Sequence, residues 1–247
     1  FGLALDLIRE ILDTYGFSDY RVRLSLRGDE GKYVADDEKW LKAERALRSA
    51  MDAKGVAYAP VEGEAAFYGP KADFIARDVL GREWQLSTIQ VDFIQPARLG
   101  CEYVGEDGQR HTPVVIHRAV TGSSERFMGV LIEHFAGAFP AWLAPVQAVL
   151  VPIADRHVPY ATQVAERLRS RGFRVEVDDS NDRMQNKIRQ AQLQRVPYML
   201  VVGDREAEGD ATAVRLRSGE NLGALPVDEF VNLLDRVVTT RSLSLTE

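Results

Sequence analysis

Residues 71–93 read KADFIARDVLGREWQLSTIQVDF, two long strand-like segments on either side of a turn near Leu80 and Gly81. Side chains alternate across a strand, so the second segment sends Gln85, Ser87, Ile89 and Val91 to one face and Leu86, Thr88, Gln90 and Asp92 to the other. Both faces then carry polar groups, which marks a sheet bordering a solvent-filled cleft rather than a dry core. Just upstream, AAFYGPK sets Tyr68 and Lys71 around a Gly-Pro turn, so a phenol and an ammonium leave one rigid corner. Taken alone, that corner is an ordinary turn.

Working outward toward the N-terminus, Leu3, Leu7, Ile8, Ile11 and Leu12 recur at helical spacing before Gly16, a C-cap residue. RVRLSLR alternates Val22, Leu24 and Leu26 with polar partners, the pattern of a strand with one buried face. Asp36 or Asp37 then caps a second amphipathic helix, carrying Trp40, Leu41, Ala43, Leu47 and Met51, which stops at Gly55. On the other side, EYVGEDGQRHTPVVIHRA reads as another pair of strands around Glu106-Asp107-Gly108. Neighbouring hairpin-linked strands predict an antiparallel sheet. VVIHRAVTGSSERF places His117 at a strand end, Gly122 at a turn and Arg126 in the first turn of a helix that begins near Ser123 or Ser124. A lone strand-end histidine is ordinarily structural. Arg126 says more, because a cation at a helix N-terminus opposes the helix dipole and calls for Glu125 or a bound anion as compensation.

FPAWLAPVQ, with Pro140 and Pro145, interrupts both periodicities and divides the chain into expected domains 1–143 and 144–247. Beyond it, apolar strands such as VQAVLVPI and PYMLVVG alternate with helices, which predicts a mostly parallel sheet covered on both faces. A length of 247 residues suits two domains, and 45% hydrophobic with 28% charged residues is a globular mixture. No apolar run approaches the roughly 20 residues that span a bilayer, and the opening segment carries Asp6, Arg9, Glu10 and Asp13. The single cysteine, Cys101, excludes an internal disulfide and a multi-thiolate zinc site, and fits a reducing cytoplasm. A net charge of −6 argues against holding nucleic acid by bulk electrostatics. The arginine-rich stretch containing Arg167, Arg169 and Arg189 nevertheless offers a local basic surface for phosphates.

EAAFYGPK, WQLSTIQVDF, residues 113–147 and QRVPYMLVVGDRE together resemble the class II aminoacyl-tRNA synthetases, and among them the threonyl family, over essentially the whole chain. The resemblance implies the later half of an antiparallel class II catalytic domain followed by an α/β anticodon-binding domain. SSERF is similar to the third class II signature, whose arginine contacts ATP, a role that falls on Arg126. The family pattern implies Gln85 and Thr88 for ATP, with Tyr68, Lys71, Gln90 and Ser123 lining the threonine and adenylate pocket. It also implies ATP with Mg2+ as cosubstrate, and His117 as one ligand of a Zn2+ that recognises threonine. Residues matching Asn181, Glu206 and Arg215 read anticodon bases of threonine tRNA, and the full-length family forms cytoplasmic homodimers. The first two class II signatures, and the cysteine and second histidine of the zinc site, belong upstream of Phe1. Neither Cys101 nor His111, His134 or His157 stands in their places, so the sequence is expected to be part of a larger synthetase. A truncated tRNA-binding module without catalysis is the alternative reading, and a partner using only the synthetase scaffold is a third.

Overall fold

A computed structural model describes residues 1–78 and 80–247 as two compact units, Phe1–His134 and Phe135–Glu247. In the first, α1 (Gly2–Thr14) ends at Gly16, whose φ of +75° suits the residue without a Cβ. β1 (Tyr20–Leu26) precedes α2 (Asp37–Ala53), whose N-cap Asp36 accepts a hydrogen bond from the Lys39 backbone nitrogen. β2 (Tyr58–Glu62), β3 (Lys71–Arg77), β4 (Glu83–Asp92), the short α3 (Gln95–Arg98), β5 (Tyr103–Val104), β6 (Arg110–His111), β7 (Val115–Ala119) and α4 (Ser124–His134) follow.

The first sheet has the order β2-β1-β3-β4-β7. Its pairings are antiparallel except β1 with β2, which run parallel because α2 carries the chain back between them. The strand pair expected around Glu106-Asp107-Gly108 is only the two-residue hairpin β5-β6, and Val115–Ala119 leaves it to pair with β4. Leu5, Ile8 and Leu12 of α1 and Trp40, Leu47 and Met51 of α2 are buried with Leu24, Phe74, Ile89 and Val91 of the sheet.

Strict alternation fails in the middle of β4. Ser87 pairs with Phe74 but Gln85 pairs with Ile75, so Leu86 is an extra residue in a β-bulge. The bulge turns Gln85 onto the face of Thr88, Gln90 and Asp92, whereas alternation had assigned it to the face of Ser87, Ile89 and Val91. Its side chain bonds Thr88 Oγ1 at 2.9 Å.

The second unit contains β8 (Ala148–Pro152), α5 (Val158–Ser170), β9 (Val175–Val177), α6 (Met184–Leu193), β10 (Tyr198–Val202), α7 (Asp204–Glu208), β11 (Ala211–Leu216), β12 (Asn221–Pro226) and α8 (Val227–Thr239). The sheet order is β12-β11-β10-β8-β9, with β9, β8 and β10 mutually parallel and β11 and β12 antiparallel additions. Every residue of β8 and β10 is buried. One face packs Leu150, Tyr198, Leu200 and Val214 against α5 and α8, and the other packs Val149, Val151, Met199 and Val201 against α6. The proline-rich segment belongs to this unit: Ala141 is fully buried in its core, and its carbonyl accepts from Gln147 Nε2 at 2.9 Å.

Candidate functional site

Asp73, on β3, has no exposed surface, yet no apolar residue could replace it without stranding its neighbours. Its Oδ2 lies 2.9 Å from Lys71 Nζ and accepts from Ser25 Oγ at 2.7 Å and Arg23 Nη2 at 3.1 Å. Its Oδ1 accepts from Gln85 Nε2 and Thr88 Oγ1, each at 2.7 Å. Burial pushes this carboxyl up, but the hydrogen bonds from Lys71, Thr88 and Ser25 outweigh it and hold the group below the ordinary carboxylate range. Three strands supply the cluster: Arg23 and Ser25 from β1, Lys71 and Asp73 from β3, and Gln85 and Thr88 from β4.

A second group adjoins it along the same face. Tyr68 Oη donates to Gln90 Oε1 at 2.6 Å, and its ring lies 5.3 Å from that of His117. Register places Gln90 between Lys71 of β3 and His117 of β7. Gly69 makes this corner fit, since a Cβ there would stand 2.6 Å from the Val91 carbonyl oxygen. His117 Nε2 lies 2.9 Å from Asp92 Oδ2, while Asp92 Oδ1 accepts from the Ile94 and Gln95 backbone nitrogens. A fully buried carboxylate accepts a hydrogen bond from Nε2–H, and in that tautomer Nδ1 is the nitrogen with a free lone pair. That is how an imidazole is prepared for a metal, but it is a single ligand. Among the described residues no group of three or more His, Cys, Asp or Glu could hold a metal ion.

Arg126 and Ser123 lie where β7 turns into α4. Ser123 Oγ accepts from the Arg126 backbone nitrogen at 3.2 Å, capping the helix, and Arg126 Nη1 reaches the Gln85 carbonyl at 3.4 Å. That carbonyl, rather than Glu125, is the partner of the cation. Gly122 permits the turn with φ +66° and an approach to the Leu86 carbonyl that would leave a Cβ at 2.9 Å. All eight residues expected from sequence on this unit therefore fall on one sheet face or at the adjoining helix start. Asp73, Arg23, Ser25 and Asp92 were not expected. The one local signal was an aspartate two residues from Lys71 on the same side of an otherwise apolar strand.

In the second unit, Asn181 is exposed between β9 and α6, Glu206 lies in α7, and Arg215 sits on β11 opposite Met199. Glu206 Oε2 accepts from the Gly203 backbone nitrogen at 2.9 Å, and no hydrogen bond joins the three side chains among the described residues. The basic stretch differs from its sequence reading. Arg167 spans Asp210 and Asp228 at 2.8 Å each, and Arg169 donates twice to the Val175 carbonyl at 3.0 and 2.7 Å. The charge of Arg167 is offset by its two carboxylates, whereas Arg169 keeps its charge but has its Nε and Nη2 donors turned to the backbone. Arg183, Arg189 and Arg195 are exposed without an ion pair among the described residues.

Comparison with known proteins agrees with this division. Residues 4–135 match the tRNA synthetase class II core domain (G, H, P, S and T), and residues 147–236 match an anticodon binding domain. A threonine–tRNA ligase of Rubrobacter xylanophilus is 70% identical over 88% of the chain, and one of Thermus thermophilus is 53% identical over 92%. The chain spans only about a third of these relatives, 34% and 35% of their lengths. The RNA-binding domain of threonyl-tRNA synthetase from Cryptosporidium parvum superposes with a TM-score of 0.89 at 35% identity, covering 98% of this chain and 60% of that one. A putative threonyl-tRNA synthetase of Aeropyrum pernix gives 0.72 at 28%, covering 99% and 62%. With the class II core matched over more than half its length, and threonyl enzymes as its relatives, the chain belongs to the class II tRNA synthetase family.

Proposed function

We propose that this chain supplies the later half of the catalytic cleft and the anticodon-binding domain of a cytoplasmic, homodimeric threonine–tRNA ligase. The observation that carries the reading is the continuous polar row from Gln85 through Thr88, Asp73 and Lys71 to Gln90, Tyr68 and His117, on one sheet face beside Arg126. The reaction joins a threonine carboxylate oxygen to the α-phosphorus of ATP and breaks the bond to pyrophosphate. Hydroxyl attack from the tRNA 3′ end on the resulting carbonyl then releases AMP.

Negative charge grows on the phosphate oxygens as the new bond forms, and Arg126 at the start of α4 is exposed to meet it. Lys71 and Tyr68 would orient the amino acid, with Gln90 fixed by the Tyr68 hydroxyl and Ser123 at the edge of the pocket. Gln85 and Thr88 would hold the nucleotide. Mg2+ would offset phosphate charge when bound. His117, fixed by Asp92, would contribute one ligand to a Zn2+ that distinguishes threonine from valine by its hydroxyl. No helix among the described residues is long and apolar enough to cross a membrane. In the second unit, Asn181, Glu206 and Arg215 would meet unstacked anticodon bases, and Arg183, Arg189 and Arg195 the backbone phosphates.

The test joins this chain to the upstream two-thirds of the Rubrobacter xylanophilus relative. The chimera should catalyse threonine-dependent ATP–pyrophosphate exchange, and Arg126→Ala should lower it by about 100-fold or more, as removal of one charge-stabilising donor does. The chain by itself should show no such exchange. A folded chimera without exchange, or one indifferent to Arg126→Ala, would sink the reading. Arg215→Ala should also shrink the preference for cognate over anticodon-swapped tRNA by about 5- to 150-fold, equivalent to roughly 1–3 kcal/mol.

A further inference from the structure

We infer that Asp73 is a positioning residue, whose buried carboxylate decides which end of the Gln85 amide faces a bound nucleotide; this rests on the proposed reading of the polar face. An ionised carboxylate only accepts hydrogen bonds, and Asp73 is surrounded by donors on both oxygens. Gln85 can satisfy it only with Nε2, at 2.7 Å from Oδ1. The Thr88 hydroxyl gives its proton to that same oxygen and accepts one from Gln85 Nε2 at 2.9 Å. The carboxylate oxygen and the Thr88 hydroxyl both lie on the Nε2 side of the Gln85 amide, so that end is held against Asp73 and the opposite end is the acceptor Oε1, 3.3 Å from Arg23 Nη2.

The consequence is one of polarity. Gln85 meets its ligand as an acceptor, suited to a hydroxyl or amine of a nucleotide's sugar or base, and Arg23 beside it keeps that oxygen in place. Reversing the amide would set Oε1 against Oδ1 of a carboxylate and break the relay through Thr88. The hold exists only because the bulge at Leu86 brings Gln85 onto the face of Asp73. Ser25 and Lys71 occupy the other oxygen, so the Ser25 hydroxyl has no part in the orientation of Gln85.

The experiment follows the Gln85 side-chain amide by nitrogen-15 NMR in the chain itself, with Gln85→Glu identifying its signals by their loss. In the unmodified chain the Gln85 amide proton that faces Asp73 should be protected from solvent exchange. Asp73→Asn is isosteric but turns an NH2 toward donors, and it should lower that protection at least tenfold, while Ser25→Ala leaves it unchanged. Titration with Mg·ATP should shift the Gln85 and Thr88 signals, and the apparent Kd should rise at least tenfold in Asp73→Asn. Should Asp73→Asn fail to fold, Thr88→Val serves instead, removing the hydroxyl that shares Asp73 Oδ1 with the Gln85 amide, and the same amide proton should lose protection. Unchanged Gln85 protection in the variant overturns the inference, and so does altered protection with unaltered ATP affinity, which would make Asp73 a support of the fold alone. Absence of ATP-induced shifts in the unmodified chain would count against the nucleotide-site reading, with amide protection still deciding what Asp73 does to Gln85.

Discussion

The central strands of the second unit's sheet are apolar on both faces and covered by their own helices, whereas the sheet of the first is apolar on one face and polar on the other. In the second unit α5 and α8 cover one side and α6 the other, leaving β8 and β10 entirely buried. In the first, Lys71, Asp73, Gln85, Thr88, Gln90, Asp92 and His117 satisfy one another instead of being buried under a helix. The difference shows two ways of stabilising a strand surface. Hydrophobic burial completes the centre of a unit by itself and leaves binding to the sheet's edge strands and loops. A hydrogen-bonded polar face is held together by charges of opposite sign, and those same groups stay oriented toward whatever enters.

The sharpest way to break this comparison is through the sealed sheet. Phe230 of α8 is fully buried with its ring edge-on to Tyr198 at 5.4 Å, and Phe230→Ala should destabilise the second unit by about 3–5 kcal/mol. Hydrogen exchange read by mass spectrometry should report faster opening in residues 135–247 and little change in residues 1–134. Equal acceleration in both would show that the units do not keep separate stabilities.

Acid should act in the opposite sense. In the first unit burial raises Asp73 and Asp78, but Lys71, Thr88 and Ser25 around the former, and Trp84 and Arg82 around the latter, bring both below the ordinary carboxylate range. Such groups stay ionised in the folded chain where the unfolded chain has begun to take up protons, so their stabilisation is full above the unfolded pKa and lost as pH falls through the folded one. Below about pH 4, where unfolded aspartates protonate, the first unit should lose stability progressively. In the second, Asp204 is lowered first by Arg156 and then by His157, a smaller set of such groups. Urea unfolding followed by the same exchange method at pH 6 and pH 3 should show the larger drop in residues 1–134. A larger drop in residues 135–247 would mean that the polar face owes little to ionised carboxylates.

The smallest effect concerns a flaw in the sealed sheet. Thr212 of β11 is fully buried and its hydroxyl has no hydrogen-bond partner among the described residues. Thr212→Val keeps the shape and removes the stranded group, so it should raise the denaturation midpoint, by the equivalent of about 1 kcal/mol. A loss of similar size would reveal a partner for that hydroxyl.

Local pattern carried most of the element assignment. Period 3.6 marked α1, α2, α4, α5, α6 and α8, and near-continuous apolar runs marked β8 and β10, because burial of one stripe or both faces is written directly into residue order. β2, α7 and β12 carry weaker patterns and were not expected. Motif resemblance singled out Tyr68, Lys71, Gln85, Thr88, Gln90, His117, Ser123 and Arg126 as candidates, and strand alternation put Thr88 and Gln90 on one face.

What sequence alone determined, then, was the existence of the elements, the change of grammar near Pro140 and Pro145, and the residue types able to handle phosphate, amine and carboxylate. Tertiary structure decided which of those residues meet. The bulge at Leu86 is a property of two paired strands, and no rule of alternation within β4 could move Gln85 to the face of Thr88. Arg167 looked available for phosphate until Asp210 and Asp228, far along the chain, arrived beside it. Asp73 gained its importance in the same way, since its donors come from three strands and only their hydrogen-bonded registry converges them on one buried carboxylate.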